Sequence, residues 1–227
     1  MANIHLLTAE DRARVSESVS AAEQGTSGEI VTIVADHSDR YLDAALWWSA
    51  GVGIAALAAL AAYPIFYEKM LGLLSNGWIT ELTIAEAFEL ALAVFTIKFA
   101  STRLLMQWIP LRLALTLPGV KTRRVRRRAV RYFKVGAERR TAGRTGILIY
   151  LSLAERRAEI VADEAIHTVV PETVWGEAMV DMLALVCQGK VADGMVAAVR
   201  DVGVVLAAQF PRQADDTNEL PDRLIEL

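Results

Sequence analysis

The sequence is poor in the residues on which disulfide and metal chemistry depend. Its 227 residues include one cysteine, Cys187, and three histidines. A lone cysteine excludes an intramolecular disulfide, which fits a domain that faces the reducing cytoplasm. The apolar neighbours of Cys187 predict a buried, unreactive thiol. A nucleophile elbow, a P-loop, an HExxH motif and paired CxxC motifs are also missing, so nothing in the sequence compels an enzyme.

Charge is missing from one long stretch. Residues 46–67 contain no charged side chain, although 22% of the chain is charged and its mean hydropathy is +0.32. As a helix, these residues would extend about 33 Å, which matches the hydrocarbon core of a bilayer. Tryptophans at one end and tyrosines at the other suit the lipid–water boundary. This pattern predicts a first transmembrane helix at about 45–67, and the absence of a polar face disfavours a buried core helix.

A second crossing is required if both soluble parts of the chain lie on the same side of the membrane. The favoured window is 86–109, and the alternative is 79–97 followed by an interfacial helix at 99–117. The favoured window places Lys98 near its centre, at a cost of about 2.5–3.5 kcal/mol on insertion scales. Small residues on one face of the first helix would let the second approach closely. The residues predicted to pack or to pair within the membrane are Gly51, Ala55, Ala59, Glu86, Glu89, Lys98 and Arg103.

A strongly basic segment follows. Residues 121–144 hold eleven lysines and arginines and one acidic residue. Positive charge beside a crossing marks the cytoplasmic side of a membrane, and each basic residue near anionic headgroups contributes about 1 kcal/mol of attraction. Nucleic-acid binding is disfavoured because aromatic platforms and a known motif are lacking. The arginines predicted to bind lipid headgroups are Arg123, Arg124, Arg126, Arg127 and Arg128.

The remaining segments predict an α/β fold. A helix begins at Thr8, a buried strand covers 29–35, and strands at 147–153 and 158–162 form an antiparallel hairpin. A crossover through a helix at 123–137 makes the first two strands parallel, and helices at 171–188 and 191–209 close the fold. The expected class is α/β, a small mixed sheet flanked by helices and interrupted by a two-helix transmembrane hairpin. The expected parts are 1–43, the hairpin 44–110, the basic helix and C-terminal part 111–211, and an acidic tail 212–227.

Several of these segments resemble the TPM domain family. The strand motif Gly28-Glu29-Ile30-Val31 is one such segment, and the others are Thr145-Gly146-Ile147-Leu148-Ile149-Tyr150, Leu153-Ala154-Glu155-Arg156-Arg157 and Ile160-Val161-Ala162-Asp163. The chain looks closest to a bacterial subgroup in which a membrane hairpin interrupts the domain. The resemblance implies a TPM-like fold. Some relatives bind divalent cations through acidic loops, some have been described as weak phosphatases, and some assist membrane complexes.

Candidate cation ligands follow two strands. Asp36, His37 and Asp39 end the first strand, and Asp163, Glu164 and His167 end the third. The strand directions place these two groups at opposite ends of the sheet, so a merged site is disfavoured. Many TPM domains carry a Gly-x-Gly segment where this chain has Asp163 and Glu164, which puts a site carried over from them in doubt. The expectation is solvated carboxylates, with a weak divalent-cation site at Asp163 and Glu164 as the alternative. No other cofactor is expected.

Three functions remain open. The favoured one is a non-catalytic, membrane-anchored interaction or accessory module that assists or regulates a membrane complex. The second is a self-assembling membrane protein, and the third is a metal-assisted, phosphatase-like hydrolase. The expected location is the bacterial inner membrane, crossed more than once, with both termini and the soluble domain in the cytoplasm. The expected partners are anionic lipids and a membrane protein complex or a second copy, and not nucleic acid.

Overall fold

The computed structural model describes residues 7–74, 83–136, 143–212 and 219–227. They fall into two compact units: an α/β unit from Met1–Asp39 and Leu117–Leu227, and a helical unit from Arg40–Thr116. The helical unit is thus an insertion between two parts of the α/β unit. In chain order the helices are α1 (Ala9–Glu23), α2 (Leu42–Ala62), α3 (Pro64–Leu74), α4 (Ile84–Leu105), α5 (Ile109–Ala114), α6 (Pro118–Gly136), α7 (Glu164–Val169), α8 (Glu172–Cys187) and α9 (Val191–Gln209).

A mixed sheet forms the centre of the α/β unit, as the sequence predicted. Its strands are β1 (Glu29–Ala35), β2 (Gly146–Ser152), β3 (Arg157–Ala162) and β4 (Ile225–Glu226), in the order β3-β2-β1-β4. β1 runs parallel to β2, and β2 runs antiparallel to β3. Every residue of β1 and β2 is buried, because these central strands have a neighbour on both sides and a helix layer on both faces.

The two faces of the sheet bury alternate residues, as the two-residue period of a strand requires. One face, including Ile30 and Val34, packs against α1, α8 and α9. The other, including Val31 and Ile33, packs against α6. α9 contributes Met195, Val199, Val202 and Leu206 to the first of these faces, and all four are fully buried.

The N-terminus of α1 lies where the sequence placed it. Thr8 is the N-cap, and its side chain accepts a hydrogen bond from the backbone N–H of Asp11 at 3.0 Å. Such a cap satisfies a backbone donor that the helix itself cannot pair.

The C-terminal residues are part of the sheet, which the interpretation of 212–227 as an acidic tail did not anticipate. β4 pairs in parallel with Ile33 and Val34 of β1. Leu220 and Leu224 are buried. The backbone N–H groups of Glu219 and Leu220 donate to the carboxyl group of Glu29 at 3.2 Å each. Residues 213–218 lie outside the described part of the chain.

The helical unit pairs α2 with α4. α2 ends at Ala62, earlier than the predicted 67, and Pro64 begins α3. Proline lacks the N–H that would continue α2, but suits the first position of a new helix. α2 has 21 residues, or about 32 Å of helix. Among the described helices, α2 is the one that is both long and apolar enough to cross a bilayer. α4 begins before the favoured window 86–109 and ends at Leu105, so the structure does not establish a second crossing.

Candidate functional site

Asp163 is built into the end of β3. Its backbone N–H donates to the carbonyl of Gly146 at 2.9 Å, and its Oδ1 caps α7 by accepting the N–H of Glu164 at 3.0 Å. The residue is only 7% exposed, and its buried Oδ2 accepts no hydrogen bond from the described residues. A buried acceptor without a donor costs about 1–3 kcal/mol. Asp163 is therefore a structural cap, and within the described ranges one of its oxygens is buried without a hydrogen-bond donor.

Glu164, the second predicted cation ligand, has a different environment. Its side chain is exposed and forms an ion pair with Arg144 at 3.2 Å. An exposed pair of this kind contributes about 0–1 kcal/mol. Arg144 has a positive φ of 52°, a left-handed conformation that is uncommon for a residue with a Cβ and costs about 1–2 kcal/mol. The fold thus holds Arg144 beside α7 in spite of a backbone cost.

A cavity of about 360 Å³ adjoins these residues. Val130 and Phe133 of α6 and Val161 of β3 form its apolar walls. Its polar lining residues are Lys134, Arg144, Asp163, Glu164 and His167. The cavity therefore combines two carboxyl side chains with a lysine, an arginine and a histidine, next to an apolar surface.

The candidate cation ligands are distributed as the strand directions predicted. Asp163 is bonded to Gly146 at one end of β2, whereas the carbonyl of Asp36 accepts from Ala154, beyond the other end. In the described ranges, no group of three or more His, Cys, Asp or Glu side chains is placed to hold a metal ion. His37 is instead hydrogen-bonded to Asp36 at 3.1 Å.

The arginines of α6 divide into two sets. Arg123, Arg126 and Arg127 are exposed, whereas Val125, Ala129 and Phe133 of the same helix enter the core. Arg124 instead pairs with Asp39 at 3.1 Å, and Arg128 lies over the ring of Tyr132 at 5.0 Å. The exposed set also includes Arg131 and Lys134, which were not among the predicted lipid-binding residues.

The packing face of α2 differs from the predicted one. Gly51 and Ala55 are exposed, and a Cβ added to Gly51 would meet nothing within 4 Å. Gly53 is buried, and a Cβ there would lie 2.7 Å from the ring of Phe95 on α4. Residues that are two positions apart in sequence are rotated by about 200° around a helix, so Gly51 and Gly53 lie on opposite faces of α2. Within the helical unit, α2 therefore meets α4 through Gly53 and not through Gly51, whereas Ala59 is half-buried.

The predicted charged residues of α4 are mostly exposed: Lys98, Glu86 and Glu89 lie on its surface, and Arg103 is half-buried. Glu86 has a local role. Its side chain accepts the backbone N–H of Thr83 at 2.8 Å, while its own N–H donates to the Thr83 hydroxyl at 3.3 Å. This reciprocal capping box begins α4, so it accounts for Glu86 without a pairing inside the membrane.

A buried polar network, which the sequence patterns did not predict, lies at the other end of the sheet. Glu155 is buried and accepts the backbone N–H of Ser38 at 3.0 Å and the hydroxyl of Ser152. The Ser38 hydroxyl lies 3.0 Å from both Tyr150 and Ser152. Burial raises the pKa of Tyr150, against the lowering effect of its bond to Ser38. A signal was present in the alternation of β2, which aims Tyr150 and Ser152 to the same face.

Cys187 is exposed, contrary to the prediction of a buried thiol. Met182 of the same helix is fully buried. Five residues separate the two, which turns Cys187 about 140° away from Met182 around α8.

The fold and these residues define an α/β domain that is interrupted by a helical insertion. Residues 113–205 match the family model of the TPM domain, the family that the sequence motifs resemble. The NMR structure of the BA42 protein from the psychrophilic bacterium Bizionia argentinensis is similar over 100% of both chains, with a TM-score of 0.57 and 19% identity. A likeness at that identity shows the fold alone. No curated protein matches the chain significantly.

Proposed function

We propose that this chain is a membrane-anchored, non-catalytic accessory module of the bacterial membrane-hairpin TPM subgroup. It assists or regulates a membrane complex from the cytoplasmic face. The observation that carries the proposal is the surface of α2. Trp47 is 76% exposed and Ile54 61% exposed, on a helix long enough to cross a bilayer. Soluble domains seldom leave so large an apolar surface uncovered, whereas lipid would cover it.

In this proposal α4 is the second crossing. Its 22 residues would extend about 33 Å, and Phe88 and Leu92 are 72% and 67% exposed. Lys98 is the main cost of insertion. Its long side chain would reduce that cost by extending its ammonium group toward the interface.

Two features support a cytoplasmic and non-catalytic module. The basic residues of α6 follow the helical unit directly in the sequence. Basic residues that flank a membrane crossing favour the cytoplasmic side. Ser38, Ser152 and Glu155 are buried and bonded to one another. That arrangement fastens a loop to the sheet and does not present a nucleophile to a substrate.

The unique cysteine provides a test of topology. Cys187 is exposed on α8, so a membrane-impermeant maleimide should label it only after the cells are permeabilised. The matched variant combines Cys187→Ala with Leu73→Cys, since Leu73 lies between α2 and α4 and is 85% exposed. We expect that variant to be labelled in intact spheroplasts. Labelling of Cys187 in intact spheroplasts would overturn the proposed orientation.

The accessory function requires a second experiment. The tagged chain is purified from native membranes in a mild detergent, and the particles are measured by native mass spectrometry. A defined complex with another membrane protein supports the proposal. Recovery of the chain alone, or only as a homo-oligomer, counts against it.

A further inference from the structure

The cavity between α6, β3 and α7 has a lining that the proposed accessory function does not use. We propose that it binds a small zwitterion of the phosphoethanolamine type, with the ammonium group held by Asp163 and the phosphate group by Lys134 and Arg144. This inference does not depend on the proposed function, because all the residues involved lie in the α/β unit.

Asp163 is the feature that points to a ligand. The residue lines the cavity and is nine-tenths buried, yet its Oδ2 accepts no hydrogen bond from the described part of the chain. Its other oxygen and its backbone N–H are already used, by α7 and by Gly146. A charged N–H donor in the cavity would satisfy the remaining oxygen with a strong, charge-assisted bond.

An ammonium group fits this carboxylate better than a divalent metal ion. Calcium takes six to eight oxygen ligands and magnesium demands near-octahedral geometry, whereas the described residues place no group of three metal-binding side chains together. Lys134 and Arg144 also line the cavity, and their charges repel a divalent ion more strongly than a monovalent one. An ammonium group has three donors and a single charge.

The cations select the other half of the ligand. Arg144 is held in a left-handed conformation, and its exposed pair with Glu164 is weak enough to exchange for a ligand anion. Guanidinium groups bind phosphate through two parallel hydrogen bonds. Lys134 adds a second positive charge from α6. Together they favour phosphate in the part of the cavity that Asp163 does not occupy.

The size and walls of the cavity agree with such a ligand. Its volume of about 360 Å³ lies within the range of small-molecule sites. Phe133 and Val130 provide an apolar wall, against which the methylene groups of an ethanolamine would pack. A phosphoethanolamine group occurs both as a free metabolite and as the headgroup of an aminophospholipid, and the experiment must distinguish these sources.

The test is isothermal titration of the full chain in detergent with phosphoethanolamine, ethanolamine and inorganic phosphate. We expect phosphoethanolamine to bind and each half to bind at least tenfold more weakly. The key variant is Asp163→Asn, because asparagine caps a helix as well as aspartate does. This variant should bind phosphoethanolamine at least tenfold more weakly, and it should bind phosphate equally well or more tightly. Lys134→Gln should weaken both ligands, and Glu177→Gln, an exposed carboxylate on α8, should change neither.

The lipid arm uses nanodiscs of phosphatidylethanolamine or phosphatidylglycerol. If the ligand is a lipid headgroup, phosphatidylethanolamine discs block the binding of soluble phosphoethanolamine and phosphatidylglycerol discs do not. If the ligand is the free compound, neither kind of disc blocks it. Equal binding by Asp163→Asn with an unchanged melting temperature would overturn the inference. So would phosphate that binds as tightly as phosphoethanolamine, or no binding of either the free or the lipid form at millimolar concentration.

Discussion

The carboxyl group of Glu155 accepts a hydrogen bond from the backbone N–H of Ser38 at 3.0 Å, across the end of the parallel pair β1 and β2. The same side chain accepts the hydroxyl of Ser152. One buried carboxyl group thereby fastens the loop that leaves β1 to the turn between β2 and β3. The first prediction follows from this contact.

Glu155→Ala should lower the free energy of unfolding by about 2–4 kcal/mol, because it leaves a buried N–H and a buried hydroxyl without their acceptor. Glu155→Gln keeps one acceptor and should cost less than half as much. Urea unfolding followed by circular dichroism measures both, with the exposed Glu177→Ala as the control. Equal stability of Glu155→Ala and the control would contradict the role assigned to this contact.

The second prediction concerns the pH dependence of stability. Burial, with smaller contributions from Glu29 and Asp222, raises the pKa of Glu23 to about 8, although the N–H of Ile30 opposes the shift. The folded protein therefore keeps a proton that the unfolded chain releases near pH 4.5. The free energy of unfolding should fall as the pH rises from about 4.5 to about 8, and this contribution should stay lost above that range.

Glu23→Gln mimics the protonated group and should flatten that slope. Unfolding is measured in urea at pH 5.5, 7.0 and 8.5, and Glu17→Gln on the exposed side of α1 provides the control. A slope that stays the same in Glu23→Gln would show that Glu23 titrates normally in the folded protein.

The third prediction uses the two glycines of α2. Gly53→Ala places a methyl group 2.7 Å from the ring of Phe95, and overpacking of this kind costs about 1–3 kcal/mol. Gly51→Ala meets nothing within 4 Å and should be neutral or stabilising. The two variants are compared by their melting temperatures in detergent. Addition of Phe95→Leu to Gly53→Ala should restore the melting temperature. If both single variants melt alike, α2 and α4 do not pack through Gly53.

The fourth prediction concerns the exposed arginines of α6. In nanodiscs that contain anionic lipid, amide hydrogen exchange of α6 should be slower than in neutral discs, and salt should remove the difference. The triple change Arg123→Gln, Arg127→Gln and Arg131→Gln should abolish the difference. The control, Lys190→Gln with Arg200→Gln, removes two positive charges elsewhere in the α/β unit. Exchange that is independent of lipid charge would exclude the predicted headgroup contact.

The strands and the long helices were predictable because their patterns are local. β1 and α9 have the bounds that the sequence indicated, since a run of β-branched residues and an uninterrupted apolar stripe identify them without knowledge of their neighbours. The family motifs were equally local. They lie in β1, β2 and β3 and in the turn between β2 and β3, where the backbone constrains the residue types.

The features that sequence patterns missed depend on residues far apart in the chain. β4 has only two residues, and its partner is β1 at the other end of the sequence. Gly51 and Gly53 are equally small, and the position of Phe95 alone decides between them. Glu155 reads as a turn residue until Ser38 is placed beside it. The cavity at Asp163 likewise depends on α6, which ends at Gly136, 27 residues before Asp163 in the sequence.

The pairing of Glu29 with Gly146 sets a delay during synthesis. At about 5–20 residues per second, a ribosome needs on the order of ten seconds to proceed from β1 to β2. Throughout that interval β1, whose residues are mostly apolar, lacks its parallel neighbour while the helical insertion is being made. Synthesis of the helical unit is therefore complete before β1 and β2 can pair.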